Sequence, residues 1–188
     1  MPSLPIPTSL QAWAAMPGRP LGVLLRASAT ARASSAAPVP AVWAVLAHPD
    51  RWAEFDPFVR AVEPSPDEPR DPGSASAETW EVVAGEKVLA HMRLLRRQLP
   101  VDVDHVVNRS SLATTTQLVP GLAEEVEHLL IPQASGGTLV TARITLRGPL
   151  AVPALLPRWL LRSVAVRLLA RTAESGLRGQ GAQIPSVA

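Results

Sequence analysis

From Val23 the chain alternates. Val23, Leu25, Ala27, Ala29, Ala31 and Ala33 share one parity, and Leu24, Arg26, Ser28, Thr30, Arg32 and Ser34 the other. A period of two predicts a long strand with one buried face. That face is mostly alanine, so it leaves room for something bulky against it, a helix or a ligand. Pro38 and Pro40 then open a short helix with an apolar face of Val42, Trp43, Val45 and Leu46, and Pro49 stops it. A second short helical piece covers 50–55, with Asp50 as its cap, and Asp56-Pro57 ends it.

The later pattern is that of a sheet. Strands are predicted at 58–63, 75–84, 87–97, 101–119 (broken or bulged) and 124–132. Gly85-Glu86 forms a tight hairpin between the second and third of these. The stretch 64–74, rich in Pro, Asp, Glu and Ser, is a loop. After Gly136-Gly137, Thr138, Val140, Ala142, Ile144 and Leu146 alternate with Leu139, Thr141, Arg143, Thr145 and Arg147 in a last strand. A helix follows Pro157 and reaches about Leu177, with Gly179 and Gly181 beyond its end. Leu156, Trp159, Leu160, Val164, Leu168 and Thr172 make its apolar side, leaving Arg158 with Arg162 and Arg167 with Arg171 as outer basic pairs. The division is a proline-rich arm at 1–20 with a helical turn at 10–16, one domain at 21–179, and a disordered tail at 180–188.

Composition narrows the function classes. At 188 residues, with 47% hydrophobic and 18% charged, the chain suits one domain with a sizeable core. The first twenty-two residues lack the basic, then apolar, order of a secretory signal. No uncharged apolar run is long enough to span a membrane. With no cysteine there are neither disulfides nor thiolate metal sites, which fits a cytoplasmic location. The net charge of +2 is too small for a nucleic-acid role; the high pI reflects bases that are all arginine except Lys87.

The stretch "ASSAAPVPAVWAVLAHPDRWAEFDPFVRAVE" resembles the opening of the START/SRPBCC superfamily, in its polyketide cyclase/dehydrase-like branch. The positions that carry the likeness are Pro40, Val42, Trp43, Pro49, Asp50, Trp52, Phe55, Pro57, Val59, Val62 and Glu63, with Phe55 where tryptophan is commoner. The late "GGTLVTARITLRGPL" is similar to the Gly-Thr strand before the last helix of that family. The resemblance spans roughly 23–178. It implies an α+β helix-grip fold: a curved antiparallel sheet of about seven strands around a long C-terminal helix, with two short helices after the first strand. It also implies a cavity for lipids, polyketides, steroids or similar ligands.

Candidate site residues are polar side chains on faces that otherwise point inward. Alternation places His128 with Val126 and Leu130, and His105 with Val101, Val103 and Val107. Both imidazoles thus stand on apolar faces, where they could meet across the sheet and move protons; each could equally be tied to a backbone group or lie on a solvent face. Trp80 lines the pocket or anchors the core, whereas Trp43 and Trp52 seal the domain. Arg93, clustered with Arg96 and Arg97, could hold an oxyanion or sit at a solvated edge. The ligand-binding candidates are Trp80, Arg93, Val126, Leu130, Val140, Ala142 and Trp159; the catalytic candidates are His128 and His105. No metal site and no cofactor are expected.

The sequence supports two main functions. One is a cofactor-independent cyclase or dehydratase that folds a polyketide-like substrate in the cavity. The other is a non-catalytic carrier of a lipid, quinone or isoprenoid. A weaker third is docking of a partner protein through the proline-rich arm. The partner is an apolar small molecule and not nucleic acid. The chain has no transmembrane segment, although its basic amphipathic last helix is of the kind that contacts membranes peripherally. Monomer and homodimer both remain open.

Overall fold

A computed structural model describes residues 25–66, 80–93 and 97–181, with the side chains of 178–181 excepted. Seven strands form one antiparallel sheet: β1 (Arg26–Ser35), β2 (Val59–Pro64), β3 (Lys87–Met92), β4 (Gln98–Val107), β5 (Ser111–Val119), β6 (Leu122–Pro132) and β7 (Thr138–Arg147). Their order is β1-β7-β6-β5-β4-β3-β2. Between β1 and β2 lie α1 (Val39–Leu46), a 3-10 turn (Pro49–Arg51) and the single turn α2 (Trp52–Phe55). The sheet wraps the long helix α3 (Ala151–Gly181). This is the expected helix-grip architecture. The arm at 1–20, the loop residues 67–74, Arg96 and the tail from 182 lie outside the described residues.

The alternations read from the sequence set the register. Ala27, Ala29, Ala31 and Ala33 of β1 stand opposite Leu146, Ile144, Ala142 and Val140 of β7. The next row, on β6, is Glu124, Val126, His128 and Leu130. These parities face α3, whose Ala165, Val166, Leu169, Ala170 and Ala173 are buried. The alanine face of β1 therefore makes room for the helix. Ser35 fastens the two, its hydroxyl donating to Ala170 O at 3.0 Å while the Glu174 carboxylate accepts from Ala36 N at 2.8 Å.

Three expectations are corrected. The predicted strand at 75–84 is absent over Trp80–Ala84, and residues 75–79 lie outside the described set. The edge of β3 is already taken by β2, so residues 80–84 turn back onto α1 instead, with Val82 N donating to Ala47 O at 2.9 Å. The broken or bulged strand region expected at 101–119 is two strands, the hairpin β4–β5, with a bulge in β4. The last helix begins at Ala151, six residues before Pro157, and runs on through Gly179 to Gly181. Pro153 lies in the first turn, where the amides have no intrahelical acceptor, whereas Pro157 lies inside the helix and removes the bond its amide would make to the carbonyl of residue 153.

The helix also presents a different face from the one predicted. Leu156 is 63% exposed, Leu160 50% and Val164 41%. Two apolar ridges run along this sequence, and the buried one is Ala165, Val166, Leu169 and Ala173. Arg158 and Arg162 turn inward with it, because two carboxylates inside the sheet need cationic partners.

Gly148 links β7 to α3. Its φ is 128°, and a Cβ there would meet Gly121 O at 1.7 Å. Only glycine fits both the backbone angle and that approach.

Candidate functional site

The interior is closed on one side and open on the other. Under β1 and β7 the sheet and α3 touch directly. Beneath β2–β5 a narrow cleft remains, open at its mouth. Its walls come from most of the fold. Leu46, Trp52 and Phe55 close one end from α1 and α2; Val59, Ala90, Met92, Leu99 and Val101 line it from β2–β4; Leu112, Thr114, Thr116 and Leu118 face it from β5. Glu124 and His128 enter from β6, and Arg158, Leu161 and Arg162 from α3.

One end of the cleft is a buried ion-pair network. Glu124, 1% exposed, accepts from Arg158 Nη2 at 2.6 Å, and from Arg162 Nε and Nη2 at 3.3 and 3.2 Å. Arg162 Nη1 donates to Asp56 Oδ2 at 2.6 Å, and Asp56 Oδ1 accepts from the Phe58 amide at 3.0 Å. Asp56 thus ends α2, starts the return to β2 and holds the helix arginine. Burial pushes the Glu124 carboxyl up, but the charges of Arg162 and Arg158 outweigh it and hold it below the ordinary carboxylate value. Burial likewise works against the Arg162 charge, and Glu124 and Asp56 more than reverse that, so its proton is held more tightly than usual. Two guanidiniums and two carboxylates leave the cluster with no net charge.

His128 is the other polar group in the cleft. It is 7% exposed, and its neighbours across the sheet are Leu112 and Ala142. Burial, with the nearby Arg162 charge adding and Glu124 opposing, pushes its pKa down to about 3. The imidazole is therefore neutral at neutral pH. Its Nδ1 and the Nε of Arg158 have no hydrogen-bond partner among the described residues.

The other sequence candidates stand elsewhere. His105 is exposed on the outer face of β4. Val103 pairs with Thr114 and His105 with Ala113, so Asp104 is an extra residue. This bulge reverses the parity beyond it: Val106 faces in, while His105 and Val107 face out, and the two histidines lie on opposite sides of the sheet. Trp80 does not line the cleft; its indole donates to Glu86 Oε1 at 3.0 Å and its carbonyl meets His48 Nδ1 at 2.7 Å. Arg93 does not line it either, donating to Val59 O at 2.8 Å and Ala53 O at 3.2 Å. Trp159 donates to Thr30 O at 3.1 Å and so ties α3 to the free edge of β1. Val126, Leu130, Val140 and Ala142 face inward as their parity requires but are buried in the packed half. Of the nine candidates, His128 alone borders the cleft.

Sequence reasoning missed Asp56, Glu124, Arg158 and Arg162. The signal was present for Glu124, which shares the parity of Val126, His128 and Leu130. Arg158 and Arg162, four apart, share a helix face. Among the described residues no group of three or more His, Asp or Glu side chains could hold a metal ion, and no helix is long and apolar enough to cross a membrane.

Comparison with known proteins agrees with this architecture. A structure titled Ara h 8.0201 superposes with a TM-score of 0.59 at 11% identity, covering 80% of this chain and 99% of that one. Protein MLL2253 from Mesorhizobium loti superposes with a TM-score of 0.57 at 14% identity, covering 79% and 98%. At such identities the likeness is one of fold. No curated protein matches the chain. The family described as polyketide cyclase / dehydrase and lipid transport matches residues 26–182. That match takes in every strand and the whole of α3, so the chain belongs to the polyketide cyclase/dehydrase and lipid transport family, within the START/SRPBCC helix-grip superfamily.

Proposed function

We propose that this protein binds a slender apolar small molecule in the cleft between β2–β5 and α3 and carries it unchanged. The observation that carries the reading is the cleft itself, apolar on most of its walls and polar at a few fixed points. The family description includes lipid transport, which agrees with it.

The rival reading, cyclisation or dehydration of a polyketide-like substrate, asks more of these side chains. It needs a proton carrier with a pKa near the working pH, and His128 is held near 3. It needs a cation free to meet an oxyanion, and Arg158 and Arg162 are engaged by Glu124 and Asp56. A second histidine is on the other side of the sheet. A carrier needs none of these.

Native mass spectrometry of the freshly purified full chain tests the reading. The expected result is an adduct that organic extraction removes, and whose mass is unchanged after prolonged incubation with the protein. Conversion to a compound lighter by one water, lost in His128→Ala while binding persists, would establish the dehydratase reading instead.

A further inference from the structure

We infer that the cleft selects a ligand whose buried part carries an uncharged oxygen, a hydroxyl or a ketone, and discriminates against the matching carboxylate. This rests on the cavity-binding reading above and names the class of ligand within it.

The polar end of the cleft is already balanced in charge. Its two arginines are not spare cations. Arg158 is paired with Glu124, and Arg162 with both Glu124 and Asp56. An incoming carboxylate would be a third anion beside two cations in a site largely removed from water. It would have to compete with Glu124 or Asp56 for its partner, and the displaced charge would be buried without one.

The unmet hydrogen-bonding capacity points the same way. His128 Nδ1 belongs to a cleft-lining side chain, more than nine-tenths buried, and has no partner among the described residues. An imidazole nitrogen accepts from a hydroxyl or, in the other tautomer, donates to a carbonyl. Either fits a neutral oxygen. A plain hydrocarbon leaves the nitrogen unmet in a dehydrated place, which is costly. Arg158 Nε, the other unmet atom, is a donor only and also asks for an oxygen. Glu124, the partner of Arg158, and His128 are four residues apart on one strand, so their backbones are separated by about 13 Å.

A matched series tests this on the full chain. Nile red, a neutral apolar dye, is bound and then displaced by octane, 1-octanol, 2-octanone and octanoate at neutral pH. Octanol and octanone should compete about tenfold or more better than octanoate, the ratio expected from about 1.4 kcal/mol. They should also at least equal octane, which a purely oily site would prefer. In His128→Leu, octane should overtake octanol. Octanoate competing as well as octanol, octane beating octanol on the unaltered chain, or an unchanged octanol-to-octane ratio in a folded His128→Leu would each overturn the inference and leave the cavity reading standing. Failure of the dye and all four compounds to bind the folded chain would overturn the cavity reading itself. If His128→Leu does not fold, the ranking on the unaltered chain still decides the matter.

Discussion

The two halves of the interior are built from the same parities of the same sheet, yet one is filled and the other is not. Under β1 the inward residues are small, Ala27, Ala29, Ala31 and Ala33, and β7 sets Ala142 among the larger, fully buried Val140, Ile144 and Leu146. The C-terminal half of α3 answers with Ala165, Ala170 and Ala173, and helix and sheet meet with little between them. Under β2–β5 the helix instead presents Arg158, Leu161 and Arg162, and the cleft stays open beside the ion pairs they make. Small residues on β1 and α3 let helix and sheet close onto the larger β7 side chains, and long charged residues border the open part. A run of inward alanines marks where the helix lies; the space for a guest lies under the larger side chains.

Substitutions that treat the two halves alike should have unequal results. The largest effect should come from Arg162→Met, which strips Asp56 of its cation and Glu124 of one of two. Loss of a buried ion-pair partner costs about 3–5 kcal/mol, read as a lowered midpoint in urea unfolding. A loss below about 1 kcal/mol would mean that the network is hydrated and not buried.

The same alanine-to-leucine change sharpens the contrast. Ala142→Leu, in the packed half, should overpack the core and cost about 1–3 kcal/mol. Ala90→Leu, on the wall of the cleft, should cost less than about 1 kcal/mol and weaken binding of an apolar dye. Equal costs would contradict the distinction between the halves.

His128 gives the comparison a pH signature. Its pKa lies near 6.5 unfolded and about 3 folded. The folded value is depressed, so the neutral imidazole contributes its full stability above the unfolded value. That contribution is lost as the pH falls toward 3, because the unfolded chain takes up the proton first. Between about pH 7 and about pH 5 the loss should be about 2 kcal/mol. His128→Leu should remove that part of the slope; an unchanged slope would place the titrating group elsewhere. Glu124 adds a second loss at lower pH, in the range below its ordinary value.

The smallest effect should be on the outer ridge of α3. Leu160→Ser should change stability by no more than about 0.5 kcal/mol, whereas Leu169→Ser, on the buried ridge, should unfold at markedly lower urea. The reverse order would return the helix to the face its sequence first suggests.

Most of the fold was legible because it depends on local, repeating signals. Period-two alternation located β6 and β7 within two residues, and β1 apart from its start, which falls at Arg26, three residues after the alternation begins. Pro38, Pro40 and Pro49 bounded α1, and the Val42-Trp43 motif pointed to the family. The site was less legible, for three physical reasons. The bulge at Asp104 changes parity without any change in composition, so alternation alone puts His105 inward with Val103. The last helix has two apolar ridges, and the choice between them is made by partners distant in sequence, Asp56 and Glu124. Finally, a buried carboxylate looks like any other charge until its cations are known. Glu124 lay in the inward parity all along, and only its meeting with Arg158 and Arg162 makes burial there tolerable.

The central claim is that a guest occupies the cleft and not the alanine-packed half. An NMR titration of the isotopically labelled full chain with 1-octanol tests it most directly. Shifts should be confined to the methyl groups of Met92, Leu99, Leu112 and Leu118 and to the His128 ring, with Val140, Val166 and Leu169 unmoved. Shifts centred on Val140, Val166 and Leu169, or no shifts at saturating octanol, would contradict it.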